Sequence, residues 1–490
     1  MIKRRLSLTQ ELVSRGIDPY PHSVKISHTV RTINESVSAG SLPEGGLSTA
    51  GRVMAMRRHG RMTFVDIHDD DVKLQCQFRA DVVGEERYED FRRYVERGDF
   101  LEVSGGFFHT RMGELTLRVE GWSIISKALL DLPGSWYGLR NVETRYRQRY
   151  LDLLLNTDVR DLFRTRSAIV SGVREFLVGR GFVEVETPVI QESYGGATAR
   201  PFTTHVNYLD ETRYLQISPE LYLKRLIVGG LNRVFTVCKN FRNEEIDVTH
   251  NPEFTMMECY QAYADYNNIM ELTEGIFTEV AMRLHGFLEI DYDGAVIDLT
   301  PPWRRLTMYD ALREIADIDV RSLDDDEIAE TLRVCDPDNY KKLMARGGFS
   351  RGLFIAQLFD HHCQSRLVQP TFVIDYPRET VPLCKLHRED PSLIERFELF
   401  VSGMEMANAY TELNDPELQS RLFREEAERA RRGATEVHPY DEDFVEAMRY
   451  GMPPTGGLGV GMDRLVMLLT GNTSIKETIL FPMMRRMERG

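Results

Sequence analysis

Two short segments, far apart along the chain, each carry half of one chemistry, so a fold of this sequence has to bring their residues into one place. The first is Phe241-Arg242-Asn243-Glu244, leading to His250-Asn251-Pro252-Glu253-Phe254; the second is Gly457-Leu458-Gly459-Val460-Gly461-Met462-Asp463-Arg464. An arginine beside a carboxylate, a histidine and an aromatic shortly after, and a second arginine behind a glycine ladder together suit adenine, three phosphates and a carboxylic acid. Arginine's planar fork can hold a carboxylate and an α-phosphate, bringing attacker and target together. No protein nucleophile is then needed, because positioning and charge neutralisation supply most of the rate when a substrate oxygen attacks phosphorus directly. Phe254 would stack on adenine, and His250 and Arg464 would hold the outer phosphates. The combination points to activation of an acid by ATP. Taken singly the residues say little: an Arg-x-Glu is most often a surface salt bridge and a phenylalanine most often core. The glycine ladder does not match the dinucleotide fingerprint, and its segment reads as lacking the strand, helix and acidic residue that fingerprint requires.

The organisation along the chain is that of more than one domain. A helical segment around Leu6 to Val13 is followed by a loop at Ser41-Leu42-Pro43-Glu44-Gly45-Gly46, making residues 1–46 a helical extension. From 47 to 127 the pattern turns to five short strands: Leu47 to Val53, Thr63 to Ile67, Leu74 to Phe78, Phe100 to Val103 and Glu114 to Val119. With a helix at Tyr88 to Glu96 between them, they predict a small oligonucleotide-binding (OB-fold) β-barrel. A linker over 128–145, centred on Leu132-Pro133-Gly134-Ser135, leads into residues 146–490. There Val159, Leu162, Phe163, Ile169, Val170, Val173, Phe176 and Leu177 recur at steps of three and four, predicting a helix from Asp158 to about Gly179 that Gly179 and Gly181 stop. A strand ending at Pro188 should follow, at a sheet edge or terminus because proline cannot donate to a ladder. Residues 306–370, rich in helix formers, read as a helical insertion whose acidic run Asp324-Asp325-Asp326 is a solvated face or helix start rather than a metal site.

Bulk properties are those of a large globular protein, with 42% hydrophobic and 28% charged residues among 490. Met1-Ile2-Lys3-Arg4-Arg5-Leu6-Ser7 opens basic but continues without an apolar export stretch, and no run approaches the roughly 18 apolar residues of a membrane span. A cytoplasmic protein without membrane attachment is expected. Six scattered cysteines lack paired metal spacing, and His361-His362-Cys363 has no matching second cluster in the sequence, so reduced thiols are expected. The net charge of −15 argues against a polyanionic partner only superficially. Residues 1–130 carry 19 Lys and Arg against 18 Asp and Glu, and the remainder 42 against 58, so the acidity lies outside the barrel. Local patches govern contact with nucleic acid.

A second constellation concerns what the acid carries. Glu258 and Tyr260 stand at alternate positions and face one side of a strand. Asn408 and Glu412 are four apart, a helical spacing, although their β-branched and aromatic neighbours favour a strand. Carboxylates converging on a pocket call for a cation, since like charges alone would raise a pKa.

With these residues in view, the chain resembles the class II lysyl-tRNA synthetases. The predicted helix with Gly181-Phe182-Val183-Glu184-Val185-Glu186-Thr187-Pro188 would be the first class motif, and the two opening segments the second and third. The lysine-type resemblance runs through Arg145 to Leu153, Gly195-Gly196-Ala197-Thr198-Ala199-Arg200-Pro201-Phe202, Pro219-Glu220-Leu221-Tyr222-Leu223-Lys224-Arg225 and Asn408 to Pro416, covering nearly the whole chain. It implies an α+β enzyme: an anticodon-binding OB-fold barrel, then a class II catalytic domain with an antiparallel sheet flanked by helices, assembled as a homodimer through the first motif.

The same resemblance implies residue roles. ATP would be bound by Arg242, Glu244, His250, Asn251, Phe254, Gly459, Gly461 and Arg464, with Arg242 and Arg464 catalytic. L-Lysine would be bound at its ε-ammonium by Glu258, Tyr260, Asn408 and Glu412, at its α-amino group by Glu220 and the Gly196 backbone, and at its carboxylate by Arg242. Glu398 and Glu405 match magnesium ligands; two carboxylates suffice for an ion that keeps several waters. Alternation in Phe397-Glu398-Leu399-Phe400-Val401 also lets Glu398 merely cover a strand. Arg57, Phe64, Gln75 and Glu114 match anticodon-reading positions, where an exposed aromatic stacks an unpaired base; Phe64 as a core residue is the equal alternative.

Three positions depart from the family pattern. Ser218 stands where alanine commonly precedes Pro219-Glu220, Glu245 where glycine follows the Arg-Asn-Glu triplet, and Gly456 where alanine precedes the third motif. The last two are expected in or near ATP-contacting loops. Ser218 is similar to the related enzymes that attach β-lysine to a translation factor, but those lack the barrel. An aspartyl- or asparaginyl-type synthetase would need a cationic pocket, and a noncatalytic tRNA-binding paralogue could lose Arg242, Glu398, Glu405 or Arg464, all present here. The expected reaction is therefore ATP-dependent activation of L-lysine and its transfer to lysine tRNA.

Overall fold

The computed structural model describes residues 2–41, 46–133, 138–431 and 438–487. Of the expected loop and linker, Leu42 to Gly45 and Gly134 with Ser135 lie outside the described residues. The chain divides into two compact units, Met1–Arg140 with Leu154–Thr157, and Asn141–Leu153 with Asp158–Gly490.

In the first unit five strands, β1 (Leu47–His59), β2 (Met62–Asp69), β3 (Val72–Arg79), β4 (Phe100–His109) and β5 (Leu115–Ser126), close a barrel in the order β1-β2-β3-β5-β4. Strand alternation sends Val65, Ile67, Leu74, Cys76, Phe78, Leu117 and Val119 inward to one core. Closure needs a sharp bend, and it comes at a bulge after Ser104. There Gly105 passes so close to β5 that a Cβ would sit 2.0 Å from the Arg118 carbonyl oxygen. The helix Glu85–Tyr94 plugs the barrel, with Phe91 stacked on Phe78 at 4.1 Å between ring centroids. The amino-terminal extension holds two helices rather than the single one read from sequence, Ile2–Ser14 and Val30–Ser38. The second is only nine residues long, but Thr29 caps it and Val30 and Ile33 are buried in the barrel core.

The second unit is built on eight strands, β6 (Val183–Glu184), β7 (Arg233–Phe241), β8 (Glu253–Ala262), β9 (Arg304–Thr307), β10 (Thr371–Pro377), β11 (Leu393–Val401), β12 (Met404–Thr411) and β13 (Thr455–Gly461). Their order across the sheet is β9-β10-β11-β12-β13-β8-β7-β6, antiparallel except for the two edge pairs. Two long helices, Thr157–Gly179 and Tyr266–His285, contribute to the core on one face, where Ile169, Val173, Phe176 and Phe277 join Met257, Cys259, Phe397, Leu399, Leu458 and Val460. The first helix ends as expected, at Gly179, and Gly181 two residues on has φ +79°. The strand after it is shorter than expected, two residues of β6 instead of a run to Pro188, and pairs only with Val234 and Phe235.

The insertion is helical, with Met308–Ala316, Asp325–Cys335, Pro337–Gly347 and Arg351–His362 around their own core. Asp324 begins the second of these through a reciprocal capping box with Glu327, which accounts for the acidic run. Cys363 is buried with its thiol towards the Ala311 carbonyl, and the sulfur that approaches His361 and His362 is that of Cys335, their ligand atoms within 4.8 Å of one another.

Candidate active site

The glycine ladder was read from sequence as lacking strand and helix; it is in fact β13, central in the sheet, feeding directly into the helix Met462–Thr470. Its neighbours are antiparallel, so no βαβ nucleotide fold results. The ladder's meaning is in the register. Glu398, Asn408, Gly459 and Glu258 lie opposite one another across β11, β12, β13 and β8, and Arg396, Tyr410, Gly457 and Tyr260 form the adjoining row. Glycines at alternate positions put Gly457, Gly459 and Gly461 on that same face, while Leu458 and Val460 point into the core. Large side chains thus ring a floor left open along β13.

Two cavities share this floor. One, of about 150 Å³, is lined by Arg242, Glu244, His250, Asn251, Phe254, Gly459, Gly461 and Arg464, so the structure brings together every residue expected at ATP. Glu245 lines it too, consistent with its expected position. The other, of about 370 Å³, is lined by Gly196, Glu220, Arg242, Glu258, Tyr260 and Asn408, with Glu398 and Glu405. Arg242 belongs to both. It stands just past β7, its amide bonded to the Pro252 carbonyl at 2.9 Å and its guanidinium 5.1 Å from the Phe254 ring centroid. Arg464 is steadied by the Glu405 carbonyl at 2.5 Å and meets His250 Nε2 at 3.1 Å. Gly456, expected near an ATP loop, is instead inside β13 opposite Thr411 and Gln261. A Cβ there would lie 2.5 Å from Ile269, so close approach of the helix Tyr266–His285 accounts for the glycine.

The acidic cavity is more deeply buried than spacing alone could convey. Glu258 is held by the Ser218 hydroxyl at 2.9 Å on Oε1 and the Tyr260 hydroxyl at 3.3 Å on Oε2. Burial, reinforced by the Glu220 carboxylate, pushes it up to about 8. Gly196 has φ +81°, and a Cβ on it would meet both Glu220 Cβ and Ser218 Oγ at 2.7 Å. Glu412 is the one expected lysine ligand absent from the cavity wall. It lies just beyond β12, fully buried behind Gly457, whose missing Cβ would sit 2.0 Å from Glu412 Oε1. Its other oxygen is paired with Lys224.

Lys224 is a residue sequence reasoning passed over, quoted within a motif and given no role. It lies one helical turn after Glu220, so the signal was an i,i+4 pair of opposite charges. Three more were missed. Arg396 pairs with Glu398 and reaches Asn408 Oδ1 at 3.3 Å. Asp463 accepts the Thr255 amide at 2.7 Å and lies 2.7 Å from Arg166, tying the long helix Thr157–Gly179 to β8 and the ladder helix. His438 lines the acidic cavity with a buried Nδ1 that has no hydrogen-bond partner among the described residues, and burial pushes its ring down to about 4, leaving it neutral.

Glu405 lines both cavities and Glu398 the larger one. Glu398 also accepts the Tyr376 hydroxyl at 2.8 Å. Burial, opposed by Arg396 and aided by Glu405 and then Asp360, pushes Glu398 up to about 7. Two carboxylates that repel across a cavity fit a hard divalent cation, which would relieve that repulsion.

In the barrel, Arg57, Phe64 and Gln75 share the outer face of β1, β2 and β3, because Arg57 pairs with Phe64 and Gln75 with Asp66. Arg57 holds Asp66 through two bonds of 2.8 Å, and Gln75 donates to Glu114 at 2.8 Å. Phe64 is half-buried and outside the barrel core, its ring 6.4 Å from that of His59.

Residues 141–485 match the family model of tRNA synthetases class II (D, K and N), and residues 47–125 that of the OB-fold nucleic acid binding domain. The chain is 51% identical over 486 residues to the lysine–tRNA ligase of Saccharolobus solfataricus, covering 98% of this chain and 97% of that protein. It is 49% identical to that of Sulfolobus acidocaldarius, with 98% and 96% covered, and 46% identical to that of a Thermotoga species, with 99% and 95% covered.

Proposed function

The chain belongs to the class II tRNA synthetases of the D, K and N group, and from that membership we infer that it joins L-lysine to lysine tRNA with ATP. The observation that carries the mechanism is that Arg242 lines both cavities. One guanidinium can therefore hold the lysine carboxylate and the α-phosphate side by side. A carboxylate oxygen attacks the α-phosphorus in line, the bond from that phosphorus to the α,β-bridging oxygen breaks, and lysyl-adenylate and pyrophosphate result. In the second step the 3′-hydroxyl of the tRNA's terminal adenosine attacks the lysyl carbonyl and AMP leaves.

Phe254 stacks the adenine, Glu244, Asn251, Gly459 and Gly461 frame the nucleotide, and Arg464 with His250 takes the outer phosphates. Glu258, Tyr260, Asn408 and Glu412 receive the ε-ammonium, and Glu220 with the Gly196 backbone the α-amino group. Glu398 and Glu405 would hold magnesium, which when bound neutralises phosphate oxygens and the departing pyrophosphate. Residues 47–127 read the anticodon through Arg57, Phe64, Gln75 and Glu114, and 146–490 carry the chemistry. A homodimer through the first motif is supported by exposed Val178, Val183, Val189 and Ile190 at and beyond the helix Thr157–Gly179. No helix among the described residues is long and apolar enough to cross a membrane. The six free cysteines suit a reducing cytoplasm.

The acidic lining of the cavity disfavours aspartate, and the matched OB-fold disfavours the translation-factor ligase. The test is amino-acid-dependent exchange of pyrophosphate into ATP over all twenty amino acids and β-lysine, with charging of lysine tRNA. Lysine should stand alone in exchange; stronger exchange with β-lysine or another amino acid would overturn the assignment.

A further inference from the structure

Besides Arg242 and Arg396 on its wall, the acidic cavity has a third cation buried beside it. The Lys224 ammonium is fully buried, 2.5 Å from Glu220 Oε1 and paired with Glu412 Oε2, two carboxylates from different parts of the fold. Phe444 covers it from another side, its ring centroid 6.0 Å away. Burying an ammonium is costly unless it is paired. A single partner would meet that requirement, and Glu220, one turn before it on the same helix, is such a partner. The second carboxylate is the informative one. Glu412 Oε1 is buried without a hydrogen-bond partner among the described residues, at the gap left by Gly457 in the cavity wall.

We infer that Lys224 is the fixed counter-cation of the amino-acid pocket, a positioning residue that opposes protonation of the buried Glu220 and Glu412 and aims them so that the pocket matches a substrate with two ammonium groups. The inference rests on lysine being the amino acid activated. Arg396 is paired with Glu398 on the same wall; with substrate bound, Glu220, Glu258 and Glu412 supply three negative charges and Lys224 removes one. The two that remain equal the α- and ε-ammonium groups of lysine, while Arg242 answers its carboxylate. Without Lys224 the like charges of Glu220 and Glu412 would force a proton onto one of them, and a protonated carboxyl no longer attracts an ammonium. Lys224 touches no substrate atom in this scheme; it acts through the two glutamates.

The test compares wild type with Lys224→Met, Lys224→Arg, Glu412→Gln and the Lys224→Met/Glu412→Gln double variant in pyrophosphate exchange and thermal unfolding. Lys224→Met should raise the lysine KM by about 30-fold or more while the ATP KM stays within about twofold, the split expected when only amino-acid binding is lost. The preference in kcat/KM for lysine over norleucine, which lacks the ε-ammonium, should fall by about 30-fold or more, and Lys224→Arg should retain it within about fivefold. Removing one member of a buried pair is worse than removing both, so the double variant should melt above Lys224→Met. That comparison, with Glu412→Gln as reference, remains readable if Lys224→Met folds poorly. A Lys224→Met enzyme with lysine KM and norleucine discrimination within about threefold of wild type would overturn the inference, as would strictly additive changes in melting temperature. If wild type instead activated an amino acid other than lysine, the functional assignment would fail, and the thermal coupling of Lys224 to Glu412 would still be read separately.

Discussion

The hydroxyl of Ser218 donates to Glu258 Oε1 at 2.9 Å, and Ser218 Oγ in turn accepts the Glu220 amide at 3.1 Å. One side chain thus links the carboxylate proposed for the ε-ammonium to the start of the helix that carries the one proposed for the α-amino group. A serine in place of the family's usual alanine is therefore built into the pocket without blocking it. Replacing it removes two hydrogen bonds, each worth about 1 kcal/mol net.

For Ser218→Ala we expect α-lysine to remain preferred and the ratio of α-lysine to β-lysine activation to move within about tenfold, or about 1.4 kcal/mol. Exchange assays with both amino acids measure it. A reversal of preference in the variant would mean that the serine, not the rest of the pocket, sets selectivity.

Lysine binding should release protons. The free Glu258 carboxyl is pushed up to about 8, first by burial and then by Glu220. An ammonium favours the ionised form and lowers that value, so a proton held at pH 7 leaves when lysine arrives. Affinity should accordingly rise with pH up to about 8 and then level off. Calorimetry in buffers of different ionisation enthalpy measures the release; Glu258→Gln should release less and bind lysine about 2–5 kcal/mol more weakly with ATP binding intact.

Gly457→Ala should damage lysine use selectively. The new Cβ would lie 2.0 Å from Glu412 Oε1 and 2.5 Å from the Tyr260 ring, and both are buried with little room to yield. We expect lysine kcat/KM to fall about 100-fold or more, about 2.7 kcal/mol, with ATP KM nearly unchanged. Steady-state exchange kinetics decide it, and an unimpaired variant would show that Glu412 does not serve the pocket.

In the barrel, Phe64→Ala should lower charging of lysine tRNA by the loss of one base stack, about 1–3 kcal/mol, and leave lysyl-adenylate formation as it was. A matching fall in pyrophosphate exchange would point to a folding defect instead.

The barrel was legible because alternation over short strands states both the strand and its inward face, as in Val65 and Ile67 or Cys76 and Phe78. The long helix was legible from its period and its glycine stop. The helix Val30–Ser38 was not, since nine residues give too little periodicity to outweigh neighbouring serines and glycine. The residues proposed for ATP were legible as a set because class motifs cluster them in two segments, and the structure lines all of them on one cavity. Arg396 and Asp463 stayed hidden, because an ion pair is a relation between elements that spacing along one segment does not state.

What the sequence by itself determined was the inventory: which side chains carry charge, which periods make strand or helix, and which two remote segments belong in one place. Only the tertiary structure decided the electrostatics of the pocket. From spacing, Glu258 and Glu412 called for a cation from outside; folding brings Lys224, 188 positions before Glu412 along the chain, into contact with it beneath Gly457. Charge interactions fall off with distance in space rather than in sequence, and burial amplifies them by removing water. The balance between ionised, protonated and paired carboxylates is therefore set where strands and helices meet, and no local pattern of residues contains it.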